Sequence, residues 1–276
     1  MIRMVAIDVD GTLLDSKHRL SPENRDELVR VHDQGVQVVL ATGRMPELIE
    51  DLLEELGIGV HLVCANGALV RQHGREESLV DETIPMDIAL EILDVVSKLD
   101  RYHYIYSTDG FVVGDALHRG HGHKTSPRNI VHPDLAAYVR ETGKPPRKIC
   151  SMGSDEELLA LQASSLERWG KHVNAWLGGH GGLEYVPAGC SKKRGVSMLA
   201  EAFGFTLREV MAIGDADNDL EMVRDSGLGV AMGNASPPLK AVAKYVTATN
   251  DESGVAKAVR LFIPDRATEK PFVRQP

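Results

Sequence analysis

Short apolar runs alternate with amphipathic segments along the N-terminal third of the chain. Three of these runs predict β-strands, at residues 4–9, 36–41 and 61–66. Pro22 and Pro46 suit the first turn of a helix, so two helices are predicted between the strands, ending near Gly35 and Gly57. Strands that alternate with helices are typical of a parallel α/β sheet, whose ligands bind beyond the carboxyl ends of the strands.

The middle of the chain, residues 83–184, follows a different pattern. It combines two predicted helices, at 85–98 and 154–170, with predicted strands at 102–107 and 111–114 and a strand pair around 174–186. Ser154 and Glu157 form a capping box at the start of the second helix. Helices mixed with antiparallel strands predict an α+β domain inserted into the parallel domain.

The first pattern returns after residue 185. Helices and strands are predicted there at 191–204, 210–214, 215–227, 227–232, 245–249 and 254–263. The predicted fold class is therefore α/β, with a Rossmann-like parallel sheet that has helices on both faces and an inserted α+β domain. The predicted boundaries give a core domain of residues 1–82 and 185–276 and an inserted domain of residues 83–184.

Composition narrows the class of protein. With 276 residues and 43% hydrophobic content, the chain is long enough to bury a large core. Its 40 acidic residues outnumber its 31 basic ones and give a net charge of -9, which argues against a nucleic-acid-binding protein. No apolar run approaches the roughly 20 residues of a membrane helix. Cys64, Cys150 and Cys190 form no close pair, so we expect free thiols and a cytoplasmic location. The expected assembly is a monomer or homodimer.

Two aspartates stand at the end of the first predicted strand, in the stretch MVAIDVDGTLLD. Asp8 and Asp10 are separated by one residue, and Gly11 indicates that the strand ends there. Two carboxylates this close repel each other, and a divalent cation would relieve the repulsion. Taken alone, the pair fits an acidic turn after a strand equally well.

A second acidic cluster, GDADND, follows another predicted strand. Its residues Asp215, Asp217 and Asp219 could simply be favourable charges at a helix N-terminus. Two acidic clusters after two strands, with the hydroxyl of Thr42 after a third, favour a site for a hard cation such as Mg²⁺. Lys192, at the start of a predicted helix, offers a positive charge for a phosphoryl group, although a solvated basic turn is the alternative reading of this position.

These stretches together resemble the haloacid dehalogenase superfamily, whose four motifs occur here in order. DVDGTLL resembles the first motif, ATGR the second, the lysine of GCSKKRGVSMLAE the third and GDADND the fourth. The spacing and the inserted domain are similar to the Cof-type subfamily with a class IIB cap, and CANGAL and AMGNA resemble further stretches of that subfamily. One departure is Lys193, which follows the motif lysine at a position where glycine is common.

The resemblance implies a role for each matching residue. Asp8 would be the nucleophile that forms an aspartyl-phosphate, and Asp10 would protonate the leaving alcohol and then activate water. Asp8, the main-chain carbonyl of Asp10, and Asp215 would hold Mg²⁺. Asp219 would orient Lys192 or a metal-bound water. The residues that would contact the phosphate or substrate are Thr42, Gly43, Arg44, Lys192 and Asn218.

The activity that the resemblance implies is hydrolysis of small phosphorylated metabolites, such as sugar phosphates, beneath the cap. Two alternatives stay open: a phosphomutase or phosphotransferase with the same nucleophile, and a receiver-like regulatory module that is phosphorylated without turnover. Arg44 could contact the substrate or pair with an acid of the next helix. His118, His121 and His123 lack the spacing of a metal site, so we expect them in a solvent-exposed loop.

Overall fold

The structure is a computed structural model that describes residues 1–99, 101–114, 130–178 and 181–265. Its strands are β1 (Met4–Ile7), β2 (Gln37–Ala41), β3 (His61–Cys64), β4 (Leu69–Arg71), β5 (Val80–Asp81), β6 (His103–Ser107), β7 (Gly110–Val113), β8 (Ile130–Val131), β9 (Lys148–Met152), β10 (Val173–Gly178), β11 (Gly182–Pro187), β12 (Val210–Gly214), β13 (Leu228–Ala231) and β14 (Tyr245–Val246). Its helices are α1 (Pro22–Asp33), α2 (Glu50–Leu56), α3 (Met86–Val96), α4 (Leu135–Thr142), α5 (Asp155–Trp169), α6 (Lys192–Ala202), α7 (Leu220–Asp225), α8 (Pro237–Val242) and α9 (Gly254–Phe262). Within the described ranges, none of these helices has the length and apolar character needed to cross a membrane. The predicted loop of His118, His121 and His123 lies outside the described residues.

Eight strands form the larger sheet, in the order β14-β13-β12-β1-β2-β3-β4-β5. The strands from β14 to β3 are parallel, whereas β4 and β5 are added antiparallel at one edge. At the centre, Ile7 of β1 lies between Ile213 of β12 and Leu40 of β2. The carboxyl ends of these three strands therefore meet at one edge of the sheet.

Alternate residues of β1 pack on opposite faces of this sheet. Val5 and Ile7 share a hydrophobic cluster with residues of α1 and α9, whereas Met4 and Ala6 share one with residues of α6 and α7. A parallel sheet needs both faces covered, and the continuous apolar run of β1 meets that need. The predicted α/β fold class is confirmed.

The smaller sheet, which we call the cap sheet, has the order β10-β11-β9-β6-β7-β8. Its pairings are antiparallel except for β7 with β8. One face packs against α3, α4 and α5, and the other joins the main hydrophobic cluster of the larger sheet. β11 continues to Pro187, past the predicted boundary at residue 184. The division of the chain into core and inserted domains stays a prediction.

Some local details differ from the sequence prediction. The segment after Pro46 begins as a short 3-10 turn and becomes α-helical only at Glu50. The GDADND stretch likewise starts with a 3-10 turn, Asp217–Asp219, before α7. The pattern did not predict β4 and β5, because strands of three and two residues are too short to show a periodicity.

The chain crosses twice between the two sheets, and polar contacts hold both crossings. Arg147 donates two hydrogen bonds to the Asp81 carboxylate, at 2.6 and 2.8 Å. Arg194 likewise donates two hydrogen bonds to Glu82, at 2.6 and 3.0 Å. These bidentate pairs fix the directions in which the chain leaves and re-enters the larger sheet.

Candidate active site

The residues predicted to carry chemistry gather at the carboxyl edge of the larger sheet. Asp8 follows β1, Thr42 follows β2 and Asp215 follows β12, which are adjacent strands. Lys192 reaches the same edge from the first turn of α6, where Ser191 caps the helix by accepting a hydrogen bond from the main-chain N–H of Arg194. Four separate segments of the sequence therefore converge on one place.

Lys192 lies between two carboxylates. Its Nζ donates to Asp8 Oδ1 at 2.6 Å and to Asp219 Oδ1 at 2.7 Å, and all three side chains are buried. Burial alone would lower the pKa of Lys192, but the charges of Asp219 and Asp8 outweigh burial and raise it above its usual value. Lys192 is therefore a fixed positive charge beside the predicted nucleophile.

Burial raises the pKa of Asp8 well above its usual value, and the charge of Lys192 opposes that rise only in part. The carboxylates of Asp219 and Asp215 raise it further. Three carboxylates, those of Asp8, Asp215 and Asp219, thus lie around the one ammonium group of Lys192.

Asp219 is held by hydrogen bonds on both of its oxygens. Oδ1 accepts from Lys192, and Oδ2 accepts from the main-chain N–H groups of Asp215 and Ala216 at 3.1 and 3.2 Å. Glycine at position 214 allows Asp219 to approach the main chain closely, because a Cβ there would come 2.5 Å from Cβ of Asp219. The geometry supports Asp219 as the residue that orients Lys192.

Asp215 completes the acidic group. Its Oδ1 accepts a hydrogen bond from Thr12 Oγ1 at 2.7 Å. Burial and the charge of Asp219 raise the pKa of Asp215 to about 6, although the Thr12 hydrogen bond and Lys192 act in the opposite direction. Gly11, with φ of 77°, turns the chain beside it, and a Cβ at Gly11 would collide with the Asp215 carboxylate.

The donor set fits a hard divalent cation. Oxygens of Asp8, Asp215 and Asp219 all lie within 4.8 Å of one another. Burial and the neighbouring carboxylates raise the pKa values of Asp8 and Asp215, so a bound cation would favour their ionised forms, and oxygen-only ligands of this kind suit Mg²⁺. Since both oxygens of Asp219 are already hydrogen-bonded, Asp8 and Asp215 are the side chains best placed to bind the ion.

Arg44 forms a bidentate ion pair with Asp10. Its Nε donates to Asp10 Oδ2 at 2.8 Å, and a terminal guanidinium nitrogen contacts the other carboxylate oxygen. Burial acts to raise the pKa of Asp10, but the hydrogen bond and charge of Arg44 outweigh it, so the pKa is lowered. In this arrangement Asp10 is ionised. The pairing of Arg44 is with Asp10, not with an acid of the helix that follows Arg44.

Three further predicted site residues lie in the neighbouring loops. Thr42 is buried, and its Oγ1 accepts a hydrogen bond from the main-chain N–H of Arg44 at 3.1 Å. The carbonyl oxygen of Gly43 accepts from Lys148 Nζ at 2.8 Å. Asn218 donates from Nδ2 to Asn66 Oδ1 at 3.1 Å. Their predicted contacts with phosphate stay predictions.

The cap sheet brings two charged residues to this edge that the sequence analysis missed. Lys148 of β9 and Glu184 of β11 are 1% and 2% exposed, and Lys148 Nζ donates to Glu184 Oε1 at 2.5 Å. The same Nζ lies 4.5 Å from the ring centre of Tyr106. The available signal was a charged residue beside apolar positions, Lys148 at the start of KICSM and Glu184 inside GLEYVP.

Two more contributors come from the motif loops themselves. Thr12 follows the aspartate pair with only Gly11 between, and its hydroxyl donates a hydrogen bond to Asp215. Asn66 is 1% exposed, has φ of 53°, and bonds to both Asn218 and Glu184. Its position at the end of a predicted strand was visible in the sequence, but no ligand chemistry distinguished it there.

A parallel sheet with buried aspartates after two adjacent strands, a lysine between them and a second, mostly antiparallel sheet beside that edge defines the class of a haloacid dehalogenase-type hydrolase. The chain matches the haloacid dehalogenase-like hydrolase family over residues 5–259 and belongs to it. It is 33% identical over 246 residues to a protein named HMP-PP phosphatase of Serratia proteamaculans (strain 568), with 88% of each chain covered.

Solved structures give the same result. A haloacid dehalogenase-like hydrolase from B. subtilis matches with a TM-score of 0.85 and 25% identity, over 95% of this chain and 100% of that one. A subclass IIB sugar phosphatase of the superfamily has the same fold, with a TM-score of 0.81 and 24% identity over 94% and 98% of the two chains. The predicted family is confirmed, and the chain is a phosphatase of that family.

Proposed function

We propose that this phosphatase uses Mg²⁺ to hydrolyse a small phosphorylated metabolite through an aspartyl-phosphate on Asp8. The observation that carries the proposal is the position of Lys192, which donates to Asp8 and Asp219 at 2.6 and 2.7 Å with Asp215 beside them. A carboxylate attacks an anionic phosphoryl group only when the repulsion between them is neutralised. This cluster supplies one fixed positive charge, the ammonium group of Lys192, and carboxylate ligands that would bind a second one, the metal ion.

Asp8, the main-chain carbonyl of Asp10, and Asp215 would hold the metal ion. When bound, Mg²⁺ supplies positive charge that offsets the repulsion between Asp8 and the phosphoryl oxygens. Asp219 stays outside this ligand set and holds Lys192 toward Asp8.

In the first step, a carboxylate oxygen of Asp8 attacks phosphorus, and the bond from phosphorus to the alcohol oxygen breaks. Asp10 gives its proton to that leaving oxygen. Because Arg44 now pairs with Asp10 and lowers its pKa, Arg44 must move to a substrate oxygen before Asp10 carries a proton. The groups that donate to the phosphoryl oxygens are Thr42, Lys192 and Asn218.

In the second step, ionised Asp10 takes a proton from a water molecule as the water oxygen attacks phosphorus. The bond from phosphorus to the Asp8 oxygen breaks, which restores Asp8 and releases inorganic phosphate. Residues 83–184 act as the cap that excludes bulk water from this edge during both steps.

The relatives guide the choice of substrate. HMP-PP is the first compound to test, because the 33% identical relative is named HMP-PP phosphatase. Phosphorylated sugars follow, since they are the wider class predicted from the motifs. Phosphate release is measured with each compound in Mg²⁺ and in EDTA, for the wild type and for Asp8→Asn. Phosphate release by the wild type in Mg²⁺, with none in EDTA and none by Asp8→Asn, supports the proposal. Transfer of the phosphoryl group to an added acceptor alcohol, without release of inorganic phosphate, would identify a phosphotransferase instead.

A further inference from the structure

A buried series of hydrogen bonds runs from the cap sheet to the phosphate edge. Glu184 Oε2 accepts from Asn66 Nδ2 at 2.6 Å, and Asn66 Oδ1 accepts from Asn218 Nδ2 at 3.1 Å. Glu184 and Asn66 are 2% and 1% exposed. The series therefore links a cap strand to a residue proposed to hold a phosphoryl oxygen.

The direction of these hydrogen bonds is set at the Glu184 end. A carboxylate only accepts, so Glu184 requires the NH₂ group of Asn66 to face it. The carbonyl oxygen of Asn66 then faces the other way and selects the NH₂ group of Asn218. The carbonyl oxygen of Asn218 does not fix this orientation, because it is buried and has no donor among the described residues.

Glu184 is itself held in place from the opposite side. Lys148 Nζ donates both to Glu184 Oε1, at 2.5 Å, and to the carbonyl oxygen of Gly43, at 2.8 Å. The ammonium group compensates the buried carboxylate charge. Gly43 allows the close approach, since a Cβ there would lie 3.3 Å from both Glu184 Oε2 and Asn66 Oδ1. The carboxylate of the cap thus lies directly against the loop that follows β2.

We propose that Glu184 is a positioning residue that fixes the amide orientation of Asn66 and, through it, that of Asn218. The NH₂ group of Asn218 then keeps one N–H for a phosphoryl oxygen. The inference rests on the proposed function, in which Asn218 contacts the phosphoryl group. Because Glu184 belongs to the cap sheet and Asn218 to the turn that follows β12 of the larger sheet, the phosphate site is complete only while the cap is seated.

Glu184→Gln tests the proposal with little change in shape. Glutamine both donates and accepts, so it no longer imposes one orientation on the two amides. With para-nitrophenyl phosphate as the probe, we expect kcat/KM to fall about tenfold and the inhibition constant of inorganic phosphate to rise by about the same factor, as for one lost hydrogen bond to a charged group.

Tyr185→Phe is the matched control. Tyr185 is the next residue of β11, its side chain packs on the opposite face of the cap sheet, and its hydroxyl lies 2.9 Å from Ser165 Oγ. This variant removes a buried hydrogen bond from the same strand, so we expect a lower melting temperature with unchanged kinetic constants.

Asn66→Gly gives a second, independent variant. Glycine accepts the left-handed backbone of Asn66, and the ion pair of Lys148 with Glu184 is kept, so this variant tests the series even if Glu184→Gln fails to fold. We expect the same weakening of phosphate inhibition.

Combination with Asn218→Ala distinguishes positioning from a general structural effect. If Glu184 acts through Asn218, Glu184→Gln or Asn66→Gly has almost no further effect on kcat/KM in the Asn218→Ala background. An equal effect in both backgrounds, or unchanged phosphate inhibition in whichever of the two variants folds, would overturn the proposal. Phosphate release by the wild type and its loss in Asp8→Asn test the proposed function separately.

Discussion

Lys192 in the core and Lys148 in the cap sheet are both 1% exposed, yet their charges are balanced differently. Lys192 contacts two carboxylates, those of Asp8 and Asp219, with Asp215 close by. Lys148 contacts one carboxylate, that of Glu184, and a neutral main-chain carbonyl. The core cluster therefore carries excess negative charge, whereas the cap pair is neutral.

This difference in charge balance separates a lysine that serves the reaction, Lys192, from one that holds the two sheets together, Lys148. Excess negative charge around Lys192 leaves the core cluster ready for a cation and for the phosphoryl group that the cation accompanies. A neutral pair has no such need, and the contact of Lys148 with Gly43 joins the two parts of the protein. Burial of a charged side chain alone does not mark a catalytic residue, since the balance of its neighbours decides the role.

The largest expected effect comes from removing the nucleophile next to Lys192. We expect Asp8→Asn to lower kcat by at least about 10⁴-fold, because no other carboxylate of the cluster is placed to replace it. Its thermal stability without metal should be unchanged or higher, since the raised pKa of Asp8 shows that ionisation there is unfavourable. Calorimetry and phosphate release measure the two effects. Asp217→Asn, an exposed position of the same motif, is the control and should retain activity.

Lys192→Met should have the next largest effect. Without its ammonium group, the phosphoryl charge loses a fixed partner, and we expect kcat/KM to fall roughly 10² to 10³-fold. Lys193→Met is the control, because Lys193 is partly exposed and lies 3.7 Å from Asp225, away from this cluster. Loss of activity in the Lys193 variant with normal activity in the Lys192 variant would reverse the assignment of the motif lysine.

Lys148→Met should affect stability more than chemistry. It removes the ammonium group of the buried ion pair with Glu184, and removing one partner of a buried pair typically costs about 3 to 5 kcal/mol of unfolding free energy. We expect a clear fall in the urea midpoint and a smaller fall in kcat than for Lys192→Met. If Lys148→Met were as stable as the wild type but inactive, the cap lysine would have to act on the substrate directly.

The smallest expected effect is a pH dependence of stability, which should arise from the carboxylates around Lys192. The pKa of Asp215 is raised to about 6, so its stabilising contribution is complete below its ordinary pKa of 3.8 and is lost as pH rises through about 6. In EDTA we expect this loss to be at most about 3 kcal/mol, and Mg²⁺ should reverse it by binding the ionised carboxylate. Melting temperatures between pH 4 and 7 test this, and Asp215→Asn should flatten the profile.

The sequence predicted that the residues around Lys192 would lie together, but it did not predict the pair of Lys148 and Glu184 in the cap sheet. Asp8, Asp215 and Lys192 lie in short motifs after strands, and parallel topology brings such strand ends together. Lys148 and Glu184 meet only because the register pairs Cys150 with Glu184 and Tyr106 with Lys148, and no local pattern encodes that register.

The central claim is that Asp8 becomes phosphorylated, and trapping the intermediate tests it most directly. Asp10→Asn should slow hydrolysis of the intermediate, while an aryl phosphate, whose leaving group needs no proton, still allows it to form. After acid quench and mass spectrometry, we predict one phosphoryl group on the peptide containing Asp8 in Asp10→Asn, and none when Asp8→Asn is added. A phosphoryl group on another residue, or turnover by Asp8→Asn, would contradict the account.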